Sequence, residues 1–149
     1  MIQRIQTLYL LLVVVLGTLL CFFSPVQFEL APYGVIDMQV FDKWPLAIIN
    51  LAIPLLAFVN IFMFKRRFLQ VRLNIMNVIL CLGYYAMLAL YIAFVVKGNE
   101  PIGAHTWAGA KWYLTTWTCI PLVNIVLTMM ATRRILKDEA LVRAADRLR

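Results

Sequence analysis

The stretch Trp44–Phe64, WPLAIINLAIPLLAFVNIFMF, decides the fold, because its 21 residues include no charged side chain. A bilayer hydrocarbon core of ~30 Å needs about 20 apolar residues of helix, which rises ~1.5 Å per residue. Three further charge-free windows of this length occur, at 5–28, 73–96 and 112–132. The sequence therefore predicts an all-α membrane protein, a four-helix bundle with spans over about 7–24, 44–64, 73–96 and 112–132.

The composition supports a membrane protein over a soluble domain. Hydrophobic residues make up 64% of the chain and charged residues 14%, against roughly 45–50% and about 25% in ordinary globular proteins. At 149 residues the chain suits a single domain, so the excess of apolar residues is explained by the four predicted spans.

The basic residues predict the orientation in the membrane. Arg4, the loop 65–72 and the tail 133–149 carry 11 of the 14 Lys and Arg residues. The outer loops 25–43 and 97–111 carry the remaining three. By the positive-inside rule, both termini and the loop 65–72 face the cytoplasm. The net charge of +7 then reflects insertion and contact with membrane lipids, and nucleic-acid binding is not predicted.

The first outer loop carries a strand pattern. Val26–Leu30 alternates apolar and polar residues, Ala31–Gly34 is a turn signal, and Val35–Phe41 is rich in β-branched and aromatic residues. This pattern predicts a small extracytoplasmic β-hairpin. Because an isolated hairpin is only marginally stable, it must pack on the helix ends or on a partner. Four tryptophans near the outer helix ends are predicted to form an interfacial belt, namely Trp44, Trp107, Trp112 and Trp117.

The tail 133–149 is predicted to continue the fourth helix into the cytoplasm as an amphipathic helix. Its polar face mixes acids with bases, whereas helices that lie on membranes carry mostly Lys and Arg there. This favours packing against a protein partner or a second copy of the chain. The candidate partner-binding residues are Ile135, Leu141, Val142, Arg143, Ala145 and Leu148.

The interiors of the predicted spans contain amides but no Asp, Glu, Lys or Arg, which disfavours ion-coupled transport. Asn60, Asn77 and Asn124 fall at similar depth on three helices, so they are predicted to form an interhelical polar cluster. That cluster serves either as structural contacts or as a substrate site. Pro54 and Pro121 are predicted to kink the second and fourth spans, which either opens a cavity or is ordinary packing.

The residue types that usually carry chemistry are sparse. His105 is the single histidine, and Cys21, Cys81 and Cys119 are scattered without a CxxC spacing. A metal or redox site needs clustered ligands. No catalytic residue, metal site or cofactor is therefore predicted.

The two ends of the chain carry a family resemblance. The opening residues 1–10, MIQRIQTLYL, and the closing residues 135–149, ILKDEALVRAADRLR, resemble a family of small four-span membrane proteins of Bacteroidota. That family is described as a domain of unknown function, number 4293, and the likeness extends over essentially the whole chain. The resemblance implies a Gram-negative inner membrane and assigns no activity.

These observations favour a non-enzymatic inner-membrane subunit or scaffold that binds proteins through its tail helix and first outer loop. Two alternatives remain open. One is a small transporter or lipid-handling protein with a cavity between helices, and the other is an enzyme acting on lipid headgroups through His105.

Overall fold

The computed structural model describes residues 3–30, 34–63, 66–98, 101–102, 105–106 and 109–147. Within these residues the chain is mostly helical. The helices are α1 (Gln3–Leu19), α2 (Trp44–Phe62), α3 (Arg67–Val96) and α4 (Ile120–Arg147). The strands are β1 (Val26–Leu30), β2 (Gly34–Met38), β3 (Pro101–Ile102), β4 (His105–Thr106) and β5 (Lys111–Leu114).

Three of the helices, α2, α3 and α4, are long and apolar enough to cross a membrane. The apolar part of α1, Ile5–Leu19, is shorter than these. The prediction of a mostly helical chain with long apolar helices and a small β element is therefore confirmed. The start of α3 at Arg67 lies six residues before the predicted third span, because the helix continues through the charged residues at its end.

The strands at the ends of the helices form a three-stranded antiparallel sheet in the order β2-β1-β5. The predicted hairpin is present, with Val26 opposite Met38 and Leu30 opposite Gly34. Gly34 has a φ of 83°, a left-handed conformation that favours glycine. The third strand, β5, pairs with β1 from Val26↔Leu114 to Glu29↔Lys111. It gives the hairpin the support that an isolated pair of strands lacks.

The chain before α4 differs from the predicted fourth span, which begins at residue 112. Residues 111–114 form β5, a short 3-10 helix covers Thr116–Cys119, and α4 begins at Ile120. Pro121 therefore lies in the first helical turn, where proline is tolerated, and the predicted kink of the fourth span is wrong. The carbonyl of Trp117 accepts its hydrogen bond from the Ile120 N–H. From Ile120 the helix runs unbroken to Arg147.

The four helices pack side by side, with α1 and α3 each lying between α2 and α4. Gly17 of α1 allows a close approach to α2, because a Cβ at this position would lie 3.2 Å from the Cβ and Cδ of Pro54. One hydrophobic core joins the helices to the sheet, from Val13 and Ile53 to Phe28. We call the end that carries β1, β2 and β5 the sheet end, and the end at which α3 begins the tail end.

Candidate functional site

Buried amides join three helices near the tail end. Asn60 Nδ2 of α2 donates to Asn74 Oδ1 of α3 at 2.6 Å, and Asn74 Nδ2 donates to Thr132 Oγ1 of α4 at 3.0 Å. Gln70 Nε2 donates to the Asn60 carbonyl at 3.1 Å, and Asn60 Nδ2 also donates to the Gln70 carbonyl at 3.2 Å. Asn60, Gln70 and Asn74 are 1%, 6% and 1% exposed. We call Asn60, Gln70, Asn74 and Thr132 the amide layer.

The predicted cluster of Asn60, Asn77 and Asn124 is only partly assembled. All three side chains are buried, each 1% exposed, and Asn60 belongs to the amide layer. Both polar side-chain atoms of Asn77, and the Oδ1 atom of Asn124, have no hydrogen-bond partner. Thr128 Oγ1 donates to the Asn124 carbonyl at 2.7 Å. Among these buried amides, the hydrogen bonds that join α2, α3 and α4 thus pass through Asn74, and not through Asn77 or Asn124.

Gln70, Asn74 and Thr132 are not among the residues predicted from the sequence. Gln70 falls in the predicted loop 65–72, so its position on the buried face of α3 was not predicted. The signal that would reveal it is the spacing of the buried face of α3, where Gln70, Asn74, Asn77 and Cys81 follow one another at intervals of four, three and four residues. Such intervals place side chains on one helical face.

The first turns of the tail pack against the chain itself. Ile135 is 1% exposed, so it belongs to the interior and not to an exposed partner surface. Three residues after it, Asp138 accepts a hydrogen bond from Gln6 Nε2 of α1. Glu139 Oε2 lies 3.5 Å from an Arg67 guanidinium nitrogen of α3. These contacts fix the direction of α4 as it leaves the other helices.

Beyond Glu139 the tail presents apolar side chains to its surroundings. Leu141 is 54% exposed and Val142 is 45% exposed. Arg143 Nε lies 3.3 Å from Glu139 Oε1, and its guanidinium carbon lies 5.2 Å from the Phe68 ring centroid. Ala145 lies within α4, and Leu148 lies outside the described residues. We call Leu141 and Val142 the tail patch.

Three of the four predicted belt tryptophans lie at the sheet end. Trp44 is the first residue of α2 and is 74% exposed, and Trp112 of β5 is 47% exposed. Trp117 stacks on Phe23 with 3.8 Å between ring centroids and 8° between ring planes. Trp107 lies outside the described residues. This arrangement places indole rings around one rim of the packed helices.

The described residues contain no group of three or more His, Cys, Asp or Glu side chains that could hold a metal ion. Cys21, Cys81 and Cys119 are free thiols, and Asn50 Nδ2 donates to Cys21 Sγ at 3.1 Å. His105 lies in the two-residue strand β4. The contacts described above hold helices together or expose apolar surface, and none of them orients a nucleophile toward a base.

These features define the class: a small helical protein with membrane-length apolar helices, joined by buried amides and bearing an exposed apolar patch on its tail. The chain belongs to the family described as a domain of unknown function (DUF4293), whose model matches residues 2–148. Comparison with curated proteins and with solved structures finds no match. The match to the family model thus includes the sheet, the amide layer and most of the tail.

Proposed function

We propose that this chain is a non-enzymatic subunit or scaffold of a bacterial inner membrane that binds a protein partner through the tail patch. The proposal rests on the place where the buried face of α4 ends, because Val142 lies two turns after Ile135 on the same face and is exposed. Ile135 is 1% exposed, whereas Leu141 and Val142 are 54% and 45% exposed. Large apolar side chains displayed together beyond the packed helices are typical of a protein interaction site.

The tail patch is held in a defined place, which favours specific binding. The contacts of Glu139 with Arg67 and Arg143 lie immediately before and beside Leu141 and Val142. A helix that is already ordered loses less conformational entropy on binding than a disordered segment does. We therefore expect the partner to present an apolar groove to this helix.

The charge of the tail adds a preference for acidic partners. Six of its residues are basic, against three acids, and Arg133, Arg134 and Lys137 are exposed. Complementary charge around an apolar contact raises association rates and excludes unsuitable partners. We infer a partner whose groove is bordered by Asp or Glu.

A four-span topology with both termini in the cytoplasm is part of the proposal. α1 contains 17 residues, about 26 Å of helix, which is slightly shorter than a ~30 Å hydrocarbon core. It nevertheless lies between α2 and α4 and buries Leu10 and Val13. If α2 and α4 cross the membrane, α1 crosses beside them, and a small mismatch is accommodated by local thinning of the bilayer.

The sheet offers a second docking surface on the opposite side of the membrane. β2 is an edge strand in the order β2-β1-β5, and its Val35 is 58% exposed. An edge strand presents unpaired backbone groups that another chain can extend. We propose that the first outer loop binds partners in this way.

The test is co-purification of the tagged protein from its native membrane in a mild detergent. The double substitution Leu141→Glu and Val142→Glu places two charges in the tail patch. It should abolish co-purification of a stoichiometric partner and leave membrane insertion unchanged. The matched control is the pair Ala140→Glu and Ala144→Glu, which adds the same charges at other exposed positions of the same helix. A partner that remains bound to the first pair would contradict the proposal.

A further inference from the structure

A small cavity lies near the tail end, where all four helices meet. Its volume is about 20 Å³. The residues that line it come from each of the helices, and they include Gln6, Leu10, Ile61, Arg67, Gln70 and Asp138. Leu10, Gln70 and Gln6 are only 1%, 6% and 9% exposed. The cavity therefore lies inside the packed helices and is not a groove on their surface.

Arg67 brings a hydrogen-bond donor to this cavity. Its Nη1 atom is buried and donates no hydrogen bond to any of the described residues. Glu139 Oε2 lies 3.5 Å from this atom, whereas a charge-assisted hydrogen bond measures ~2.7–2.9 Å. Buried donors in folded proteins are nearly always hydrogen-bonded, either to protein groups or to ordered water. A further acceptor is therefore expected beside Arg67.

Asp138 brings an acceptor to the same cavity. Gln6 Nε2 donates a hydrogen bond to its Oδ2 atom. An ionised carboxylate has about four lone-pair sites on its two oxygens, so this one bond does not exhaust its capacity. The cavity thus lies between a guanidinium donor on α3 and a carboxylate acceptor on α4.

These two charges restrict the chemistry of a ligand in the cavity. The Arg67 guanidinium repels a cation, and the Asp138 carboxylate repels an anion. A neutral molecule that accepts a hydrogen bond from the first group and donates one to the second complements both.

The size of the cavity restricts the ligand further. An ordered water needs a cavity of at least ~10–15 Å³ and two to four polar partners. The volume of about 20 Å³ meets the first condition, and Arg67, Asp138 and the amides of Gln6 and Gln70 meet the second. Sites for larger ligands typically have volumes of ~300–1,000 Å³. Water is therefore the ligand that fits both the charges and the space.

We propose that this cavity is the site of an ordered water molecule, which accepts a hydrogen bond from Arg67 Nη1 and donates one to the Asp138 carboxylate. The water joins the start of α3 to the tail part of α4, beside the contact of Asp138 with Gln6 of α1. Gln70 belongs to the amide layer and also lines the cavity, so the water extends that layer toward the tail. The site helps to fix the direction of α4, and it does not depend on whether the tail patch binds a partner.

The experiment is radiolytic labelling of the full chain in lipid nanodiscs, with oxidised residues located by mass spectrometry. X-rays convert water to hydroxyl radicals, which react with adjacent side chains, so a buried side chain is oxidised where an ordered water lies beside it. Leu10 lines the cavity, whereas Leu20 packs in the hydrophobic core. Both are 1% exposed, which makes them a matched pair. We expect several-fold more oxidation of Leu10 than of Leu20, and equal oxidation of the two would overturn the proposal.

A double substitution tests whether Arg67 and Asp138 hold the water. Arg67→Met with Asp138→Leu removes both the donor and the acceptor, so the oxidation of Leu10 should fall to the level of Leu20. The matched control is Arg72→Met with Lys137→Leu, which replaces one exposed charged residue in each of the same two helices. This control should leave the oxidation of Leu10 unchanged. Undiminished oxidation of Leu10 in the first variant, or an equal decrease in both variants, would contradict the assignment of the water to this pair.

Discussion

The two ends of the packed helices are held together by different interactions. At the sheet end the central contacts are apolar, and Val26, Phe28 and Met38 are all 0% exposed. Near the tail end the contacts between helices are amides and ions, from Asn60 and Asn74 to Arg67 and Glu139. Both kinds of residue occur along the helices, and the two ends differ in which kind makes the central contacts.

The membrane explains this division. Between helices in lipid, burial of an apolar side chain gains little, because the lipid tails are as apolar as the protein, so close packing and hydrogen bonds must hold the helices together. In the proposed topology the sheet lies outside the bilayer, where water is available and the hydrophobic effect stabilises a small core. The comparison predicts that truncating an apolar side chain is most damaging at the sheet end.

The largest effect is therefore expected from Phe28→Ala. This side chain is 0% exposed at the centre of the sheet, and removal of a buried aromatic ring typically costs about 3–5 kcal/mol. Limited proteolysis of the sheet and the free energy of unfolding measure the loss. Phe41→Ala is the matched control, because Phe41 is 57% exposed at the same end. Equal destabilisation of the two variants would contradict the prediction that buried apolar contacts stabilise the sheet end.

An intermediate effect is expected where α1 meets α2. Gly17→Leu would place atoms where a Cβ alone already lies 3.2 Å from Pro54, and overpacking typically costs about 1–3 kcal/mol. Unfolding in a denaturing detergent measures the difference in free energy. Gly83→Leu is the control, since nothing lies within 4 Å of a Cβ at Gly83. This second change should be neutral, or stabilising by up to about 1 kcal/mol through helix propensity.

The smallest of the three effects is expected in the amide layer. Asn74→Ala removes the hydrogen bonds to Asn60 and Thr132, and such bonds between membrane helices average about 0.6 kcal/mol each, which is about 1 kcal/mol for the two. The same denaturing-detergent titration measures it. Asn77→Ala is an internal control, because its polar side-chain atoms have no partner and little stability should be lost. If Asn77→Ala lowered the free energy of unfolding more than Asn74→Ala does, Asn77 and not Asn74 would be the residue that joins the helices.

The sequence predicted the helices better than the strand that completes the sheet. The charge-free stretches around α2 and α3 carry a local signal that needs no tertiary information. In contrast, residues 112–117 are aromatic and β-branched, so they suit either a membrane span or a strand. The pairing of Phe28 with Trp112 makes this segment a strand. The two residues are more than eighty positions apart, so no local sequence pattern predicts the contact.

The candidate sites were predictable in the same partial way. Amphipathic spacing in α4 identified the apolar side of the tail, but it could not distinguish Ile135, which the chain covers itself, from Leu141, which stays exposed. Asn60 was predicted from its depth, whereas Gln70 and Asn74 were missed. The charges of residues 65–72 indicated a loop, although α3 begins at Arg67 and includes Arg72.

In the proposed function, α4 packs against the other helices as far as Glu139 and binds a partner beyond it. A photocrosslinking amino acid placed at position 141 in the native membrane tests this proposal, with position 140, about 100° around the helix from position 141, as the reference. One discrete crosslinked protein is expected from position 141 and none from position 140. Crosslinks only to lipid at position 141, or the same products from both positions, would show that the tail patch does not bind a protein partner.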